Sequence, residues 1–396
     1  MRFIVTTTAF TSLLVLSSCT PFEAQLPGSG SGSSTTPATP ATTATSTSTS
    51  TAGTGSVAAT DELQLALTIH VERRDTEVNN EAEFGAHVAT LETLSDLAAT
   101  YDVILNFELS SAFVEAIDQW GSTFIEDMTA IGHGISQHSG DQTTAGLTGE
   151  ARVAELTEQR EAIEAHGVTV NYVSGACSTD DDWVESAVAA GFSAVTGITE
   201  YCLASLDDAT LPDGMEWIRD CTNPSICHDP IHVGTERVLH PWTTSTSAGW
   251  LNDDPSGGLV IVSADDATGF VTMSQTGEAD LATSLEQWIE MLDTYTSSTV
   301  DGQLNVLNTV LSIGPEPEWE VVEAMFAEAQ ARQDAGELTW ALLSDLVAQA
   351  VAEAPTQAAD PAVVYTDTSS DLGEGLPAGG GSCLPPACKP TGGTLP

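Results

Sequence analysis

The chain has 396 residues, of which 57 are Asp or Glu and only 9 are Lys or Arg, giving a formal net charge of -48. A field of that sign repels nucleic acid and anionic lipid surfaces, so no nucleic acid is expected as a partner. The acids are scattered and form no Asp-rich loop of the calcium-binding type, so they read as a solvated surface. A single lysine, Lys389, beside many Asp, Glu, Thr and Ala resembles the composition of proteins from salty environments, where salt screens self-repulsion.

Residues 1–19 read as an export signal. Arg2 precedes an apolar run from Phe3 to Leu16, which is shorter than the ~20 residues a membrane span needs. Leu16-Ser17-Ser18-Cys19 resembles the lipobox of bacterial lipoproteins, which implies cleavage before Cys19, its lipidation, and attachment to the membrane through lipid only. Thr20 after that cysteine resembles the choice made by lipoproteins sorted to the outer membrane, so the expected place is the cell envelope. Residues 20–59 are almost all Ser, Thr, Pro, Gly and Ala and cannot bury a core; they read as a disordered tether. Residues 353–396 return to a Pro/Gly-rich tail, which leaves 60–352 as a single domain.

Six further cysteines remain: Cys177, Cys202, Cys221, Cys227, Cys383 and Cys388. In an exported chain they suggest disulfides, and the most local pairing is Cys177 with Cys202, Cys221 with Cys227, and Cys383 with Cys388. A cysteine-ligated zinc is the alternative, but no CxxC pair exists.

The elements alternate. An apolar strand over 63–70 is followed by a helix over 81–99, with apolar spacing through Phe84, Val88, Leu91, Leu94 and Leu97. A strand over 103–108 and a helix over 112–120 come next, then a strand-like stretch over 128–135 and a helix over 150–166. Strands over 168–173 and 193–196 flank a helix over 181–190. Strand-like stretches over 238–242 and 259–262, a helix over 281–295, a strand over 304–311, a helix over 318–335 and a short strand over 337–342 complete the series. Repeated strand-helix units predict an α/β fold with a parallel sheet, here a distorted (β/α) barrel.

In such a barrel the chemistry gathers where strands end. The first strand ends His70-Val71-Glu72, and period-two geometry puts His70 and Glu72 on one face, towards the mouth if Leu67 and Ile69 face helices. The second ends Asn106-Phe107-Glu108. The third runs into a Gly-flanked stretch holding His133 and His138. Two imidazoles and a carboxylate from a neighbouring strand, here His133, His138 and Glu72, suit a divalent metal, zinc first, with positions left open for water.

The stretch from Leu67 to Glu72, that from Ile131 to His138 and that from Gly336 to Leu346 together resemble the polysaccharide deacetylases of the NodB-homology type, distorted barrels with an Asp-His-His metal site. The resemblance covers roughly residues 60–350 in element order. It departs at Thr68-Ile69-His70-Val71-Glu72, where the family has Thr-Phe-Asp-Asp-Gly, and at His133 and His138, which are five apart where the family's metal histidines are four apart. It departs again at residues 173–178, which replace an Arg-Pro-Tyr-Gly-like loop. The resemblance implies a metal-dependent hydrolase that removes N- or O-acetyl groups from a polysaccharide. In it His70 serves as general base or further ligand, His240 protonates the departing amine, and one of Asp180, Asp181 and Asp182 orients an imidazole. Glu108, Trp242 and Trp250 are the expected substrate contacts, the tryptophans as a wall for a sugar ring.

Two other classes stay open: a catalytically silent glycan-binding protein on the same barrel, and a glycosidase using Glu72 and Glu108 as its carboxylate pair. Of the remaining histidines, His87 is expected on a solvent face and His166 at a helix C-terminus, while His228 and His232 flank Asp229-Pro230 in a loop beside Cys227.

Overall fold

The computed structural model describes residues 62–139, 144, 146–221, 227, 235–265, 281–313 and 317–354. Cys19, the 20–59 tether, His228, His232, Cys383, Cys388 and residues 355–396 of the C-terminal tail lie outside the described residues. No described helix is long and apolar enough to cross a membrane.

The parallel strands β1 (Leu63–Val71), β2 (Leu105–Leu109), β3 (Gly134–His138), β4 (Tyr172–Ser174) and β5 (Ala194–Thr196) pair in chain order. An antiparallel strand, β6 (Trp242–Thr244), lies outside β7 (Leu259–Val262), which pairs with β5. The chain passes Ser263 into β8 (Ala264–Asp265), which pairs with β9 (Val306–Ser312), and β9 returns to β1. Residues 259–265 thus serve two ladders in succession and close the ring: this is the distorted barrel the sequence predicts. A short strand β10 (Leu338–Trp340) pairs with the first half of β1.

The helices are α1 (Glu81–Thr100), α2 (Ser111–Trp120), α3 (Phe124–Ala130), α4 (Gly149–Glu164), α5 (Trp183–Ala189), α6 (Glu200–Leu203), α7 (Thr235–Leu239), α8 (Leu281–Thr296), α9 (Trp319–Ala335) and α10 (Leu343–Glu353). Strand side chains alternate between two cores. Leu65, Leu67, Ile69, Phe107, Val173, Val195, Ile261 and Leu307 face outwards and join the helices. Ala66, Tyr172, Ala194, Val260 and Val306 face inwards and pack with Leu343, Leu346 and Val347 of α10. Each fully buried aliphatic side chain of this kind contributes roughly 1.5–3 kcal/mol.

Helix α10 closes the N-terminal end of the barrel. Asn106 anchors it, its Nδ2 donating to Leu67 O and Ala341 O at 3.3 Å each and its Oδ1 accepting from Leu343 N at 2.8 Å. Gly134 must lack a side chain there, since a Cβ would lie 2.6 Å from Asn106 Oδ1.

The structure changes two of the expected elements. Met128 belongs to α3, whose buried Phe124, Ile125 and Met128 have helical spacing, and the strand begins only at Gly134. Val238 and Leu239 end a helix, and the strand that follows is antiparallel to β7.

Candidate metal centre at the strand ends

The inward-facing residues change character along each strand, from apolar near α10 to polar at the C-terminal ends. His70, two residues after Thr68 on β1, is level with Glu108 on β2, and His138 on β3 is level with Ser174 on β4. These neighbours bring His70, Glu108 and His138 together as a buried set, each offering one ligand atom, with those atoms all within 4.8 Å of one another.

The geometry inside the set is that of converging lone pairs. His70 Nε2 and Glu108 Oε2 are 2.8 Å apart, yet neither atom has a partner in hydrogen-bond geometry, although both are buried. Buried polar atoms left in this way need an explanation, and a shared cation supplies one. The imidazoles of His70 and His138 stack with ring centroids 4.4 Å apart. Gly197, at φ +61°, follows β5 and passes over them; a Cβ there would lie 3.7 Å from His70 Nε2 and fill the space in front of it. The residues present therefore fit a divalent cation with nitrogen and oxygen ligands.

Around this set the contacts are specific. Thr196 Oγ1 donates to Glu108 Oε1 at 2.8 Å. Burial alone would raise the Glu108 pKa, but the adjacent His70 imidazole outweighs it, and with help from the Ser174 hydroxyl and His138 it holds the carboxyl below its usual range. Glu72 stands at the rim with its side chain 52% exposed, Oε2 3.5 Å from His138 Nε2 and Oε1 4.0 Å from His70 Nδ1.

The loops at this mouth are tied together. The buried Arg152 guanidinium of α4 donates to Thr144 O, beyond β3, and to Ala176 O, beyond β4. A Cys177–Cys202 disulfide joins the β4 loop to α6, Tyr201 N donates to Cys227 O, and Cys221–Cys227 forms a second disulfide.

Several expected site residues are placed elsewhere. His133 sits between β2 and α1: Leu105 N donates to its Nδ1 at 3.2 Å, and its Nε2 is 2.8 Å from Ser95 Oγ. Both nitrogens are engaged and burial lowers its pKa to about 4, so it is a neutral structural histidine and not a ligand. His240 contacts Asn305 Oδ1 at 3.2 Å, next to the start of β9. Asn305 is level with Leu63, seven residues from His70 along β1, or roughly 20 Å away at the rise of a strand. It is therefore at the wrong end of the barrel to protonate a leaving group.

Trp242 and Trp250 are core residues. Trp242 Nε1 donates to Trp250 O at 2.7 Å and Trp250 Nε1 to Cys202 O at 3.0 Å, and Arg237 lies over the Trp242 ring. Both rings are buried and offer no sugar platform. Asp182 caps α5 and binds Thr246 and Ser247, while Asp181 binds Gly149 N and Ser186, so neither orients an imidazole. Glu108 is too deeply buried to meet a substrate. His87 is buried rather than solvated, its Nδ1 2.8 Å from Glu77 Oε1. His166 bridges Asp118 and Glu126 rather than capping its own helix.

The pairing of Glu108 with the two imidazoles was carried in the sequence only by strand parity, through Asn106-Phe107-Glu108. Ser174 and Thr196 carried no signal beyond their place at strand ends.

No family model matches the chain, and no curated protein sequence does. Among solved structures, a probable polysaccharide deacetylase from Pseudomonas aeruginosa is similar at 12% identity over 75% of this chain and 94% of that one, with a TM-score of 0.48. A GH57-type branching enzyme from Pyrococcus horikoshii gives 10% identity over 72% and 70%, with a TM-score of 0.47. A mutant of a CE4 family pseudoenzyme gives 11% over 72% and 67%, with a TM-score of 0.32.

Proposed function

We propose that this chain is a metal-dependent hydrolase of the polysaccharide deacetylase type, lipidated at Cys19 and held at the cell envelope, which removes N- or O-acetyl groups from a carbohydrate. The observation that carries the reading is the convergence of His70 Nε2, Glu108 Oε2 and a His138 ring nitrogen at the strand ends, without hydrogen-bond geometry between the first two. The sequence resemblance over β1 and β3 supports it.

His70, Glu108 and His138 would hold the divalent cation, zinc in the first instance. Bound there, it would polarise an acyl carbonyl and lower the pKa of a water towards neutrality. Glu72 is the group placed for proton transfer: it is exposed, just past the end of β1, and beside both imidazoles. It takes a proton from water as the new C–O bond forms, and returns it to the departing amine or alcohol as the acyl bond breaks. These roles exchange those expected for His70 and Glu72. Glu108, fully buried behind the two imidazoles, cannot reach a glycosidic bond, which removes the support for a Glu72/Glu108 glycosidase.

One observation favours a second reading. Neither aspartate of the family's Thr-Phe-Asp-Asp-Gly stretch is present, which suits a glycan-binding protein without turnover. The test is metal content of the full chain, purified without chelator, beside a His70→Ala/His138→Ala variant, with acetate release from acetylated chitin and xylan fragments. One equivalent of a divalent metal, lost in the variant, together with acetate release supports the hydrolase. Metal without release supports the binding protein, and a well-folded metal-free parent overturns the hydrolase and leaves the binding protein.

A further inference from the structure

Glu108 carries two carboxylate oxygens into a fully buried place, and the fold treats them differently. Oε1 accepts from the Thr196 hydroxyl at 2.8 Å, whereas Oε2, 2.8 Å from His70 Nε2, has no partner in hydrogen-bond geometry. A carboxylate only accepts, so the single hydroxyl proton of Thr196 is directed at Oε1. The bond is charge-assisted, and so stronger than one between neutral groups. Were Thr196 present only to offset the burial of a carboxylate, Oε2 would be expected to have a donor as well.

Thr196 is built to hold this contact. It is the last residue of β5, buried and level with Ser174 on β4 and Val262 on β7. Its β-branched side chain is stiff at χ1, and Gly197, at φ +61°, turns the chain over His70 directly after it. Rotation about the last bond of the Glu108 side chain would exchange the two oxygens, and a torsion of that kind is soft by itself. The Thr196 proton removes this freedom. With Oε1 held, Oε2 is the oxygen left towards His70 Nε2, and the set offers one carboxylate oxygen rather than two.

We infer that Thr196 is a positioning residue, whose hydroxyl holds Glu108 Oε1 so that Oε2 faces His70 Nε2 and a cation bound between them. The inference rests on the metal-centre reading for its purpose, but the orientation stands on contacts within the protein alone. Residues behind a metal site commonly orient its ligating carboxylates in this way.

The experiment uses the full chain as parent, as Thr196→Val, which keeps the shape and removes the hydroxyl, and as Thr196→Ser, which keeps the hydroxyl. Crystal structures without metal read the orientation of Glu108, and calorimetry reads zinc affinity. In the parent, Thr196 is expected on Oε1 with Oε2 facing His70; in Thr196→Val the carboxylate turns and zinc binding weakens roughly 10- to 100-fold, and Thr196→Ser restores both. Should Thr196→Val not fold, Thr196→Ala takes its place, and the parent crystals still test the contact. A parent in which the Thr196 hydroxyl bonds another group overturns the inference, as does a carboxylate that keeps its orientation in Thr196→Val. If the parent binds no zinc while Glu108 still turns in the variant, the metal reading falls and the positioning stands. If parent and Thr196→Val bind zinc equally, the positioning role falls and the metal reading stands.

Discussion

The two ends of β3 carry histidines five residues apart, and they have opposite uses. His133, just before the strand, accepts from Leu105 N at Nδ1 and faces Ser95 with Nε2, so its proton is on Nε2 and every valence is satisfied within the fold. His138, at the strand's last residue, turns Nδ1 to Ser174 and leaves Nε2 towards the mouth. Both are buried. Burial alone thus says little about a histidine's role; what distinguishes these two is whether the second nitrogen meets a partner from the core or faces a carboxylate at the rim.

The sharpest way to break the comparison is to remove each imidazole in turn. His138→Ala and His70→Ala are expected to abolish metal binding and turnover while leaving the fold intact, measured by metal analysis and circular dichroism. His133→Ala is expected to keep the metal and lose about 2 kcal/mol of stability, read from urea unfolding, because a buried backbone donor loses its acceptor. Retention of metal in His138→Ala would erase the contrast.

A second variant separates binding from chemistry at the rim. Glu72→Gln is expected to lower kcat roughly 100-fold with metal content unchanged, since the amide cannot take the proton. Lost metal would make Glu72 a ligand instead.

The pH dependence of stability sharpens the same contrast. The pKa of His133 is lowered to about 4 by burial, whereas the unfolded chain takes up its proton near the ordinary histidine value of 6.5. Its contribution is therefore fully present above the unfolded value and is lost progressively as pH falls from there to the folded one. Unfolding of the parent between pH 7 and pH 4 should show a loss of about 3 kcal/mol from this residue, and His133→Gln should flatten that slope. Glu108 adds a loss at lower pH, because its folded pKa is depressed and its stabilisation disappears as the carboxyl is protonated. The smallest expected effect is Ser95→Ala, about 1 kcal/mol in stability with metal binding untouched.

The barrel was legible because its strands are short apolar runs separated by helices with clear apolar spacing, and because parity alone put His70 and Glu108 on the inward face. The choice between His133 and His138 was not legible. Ser95, which fixes the first, is 38 residues away on α1, and nothing near either histidine announces it. His240 misled for a similar reason: an apolar run ending in a histidine reads as a strand end, but Val238 and Leu239 finish a helix, at the far end of the barrel. The tryptophans were ambiguous because only their indole donors, both spent on backbone carbonyls, reveal that they are core.

Residues 259–265, which pair first with β5 and then with β9, make closure depend on the last third of the chain. As the chain is made from its N-terminus, β1 to β5 can form an open sheet, but β1 keeps an unpaired edge until residues 306–312 arrive. For that interval the polar strand ends have no complete ring around them, and the exposed edge invites wrong pairing. Closing the cylinder is thus a late event in the life of each molecule, and the same event finishes both its interior and its candidate site.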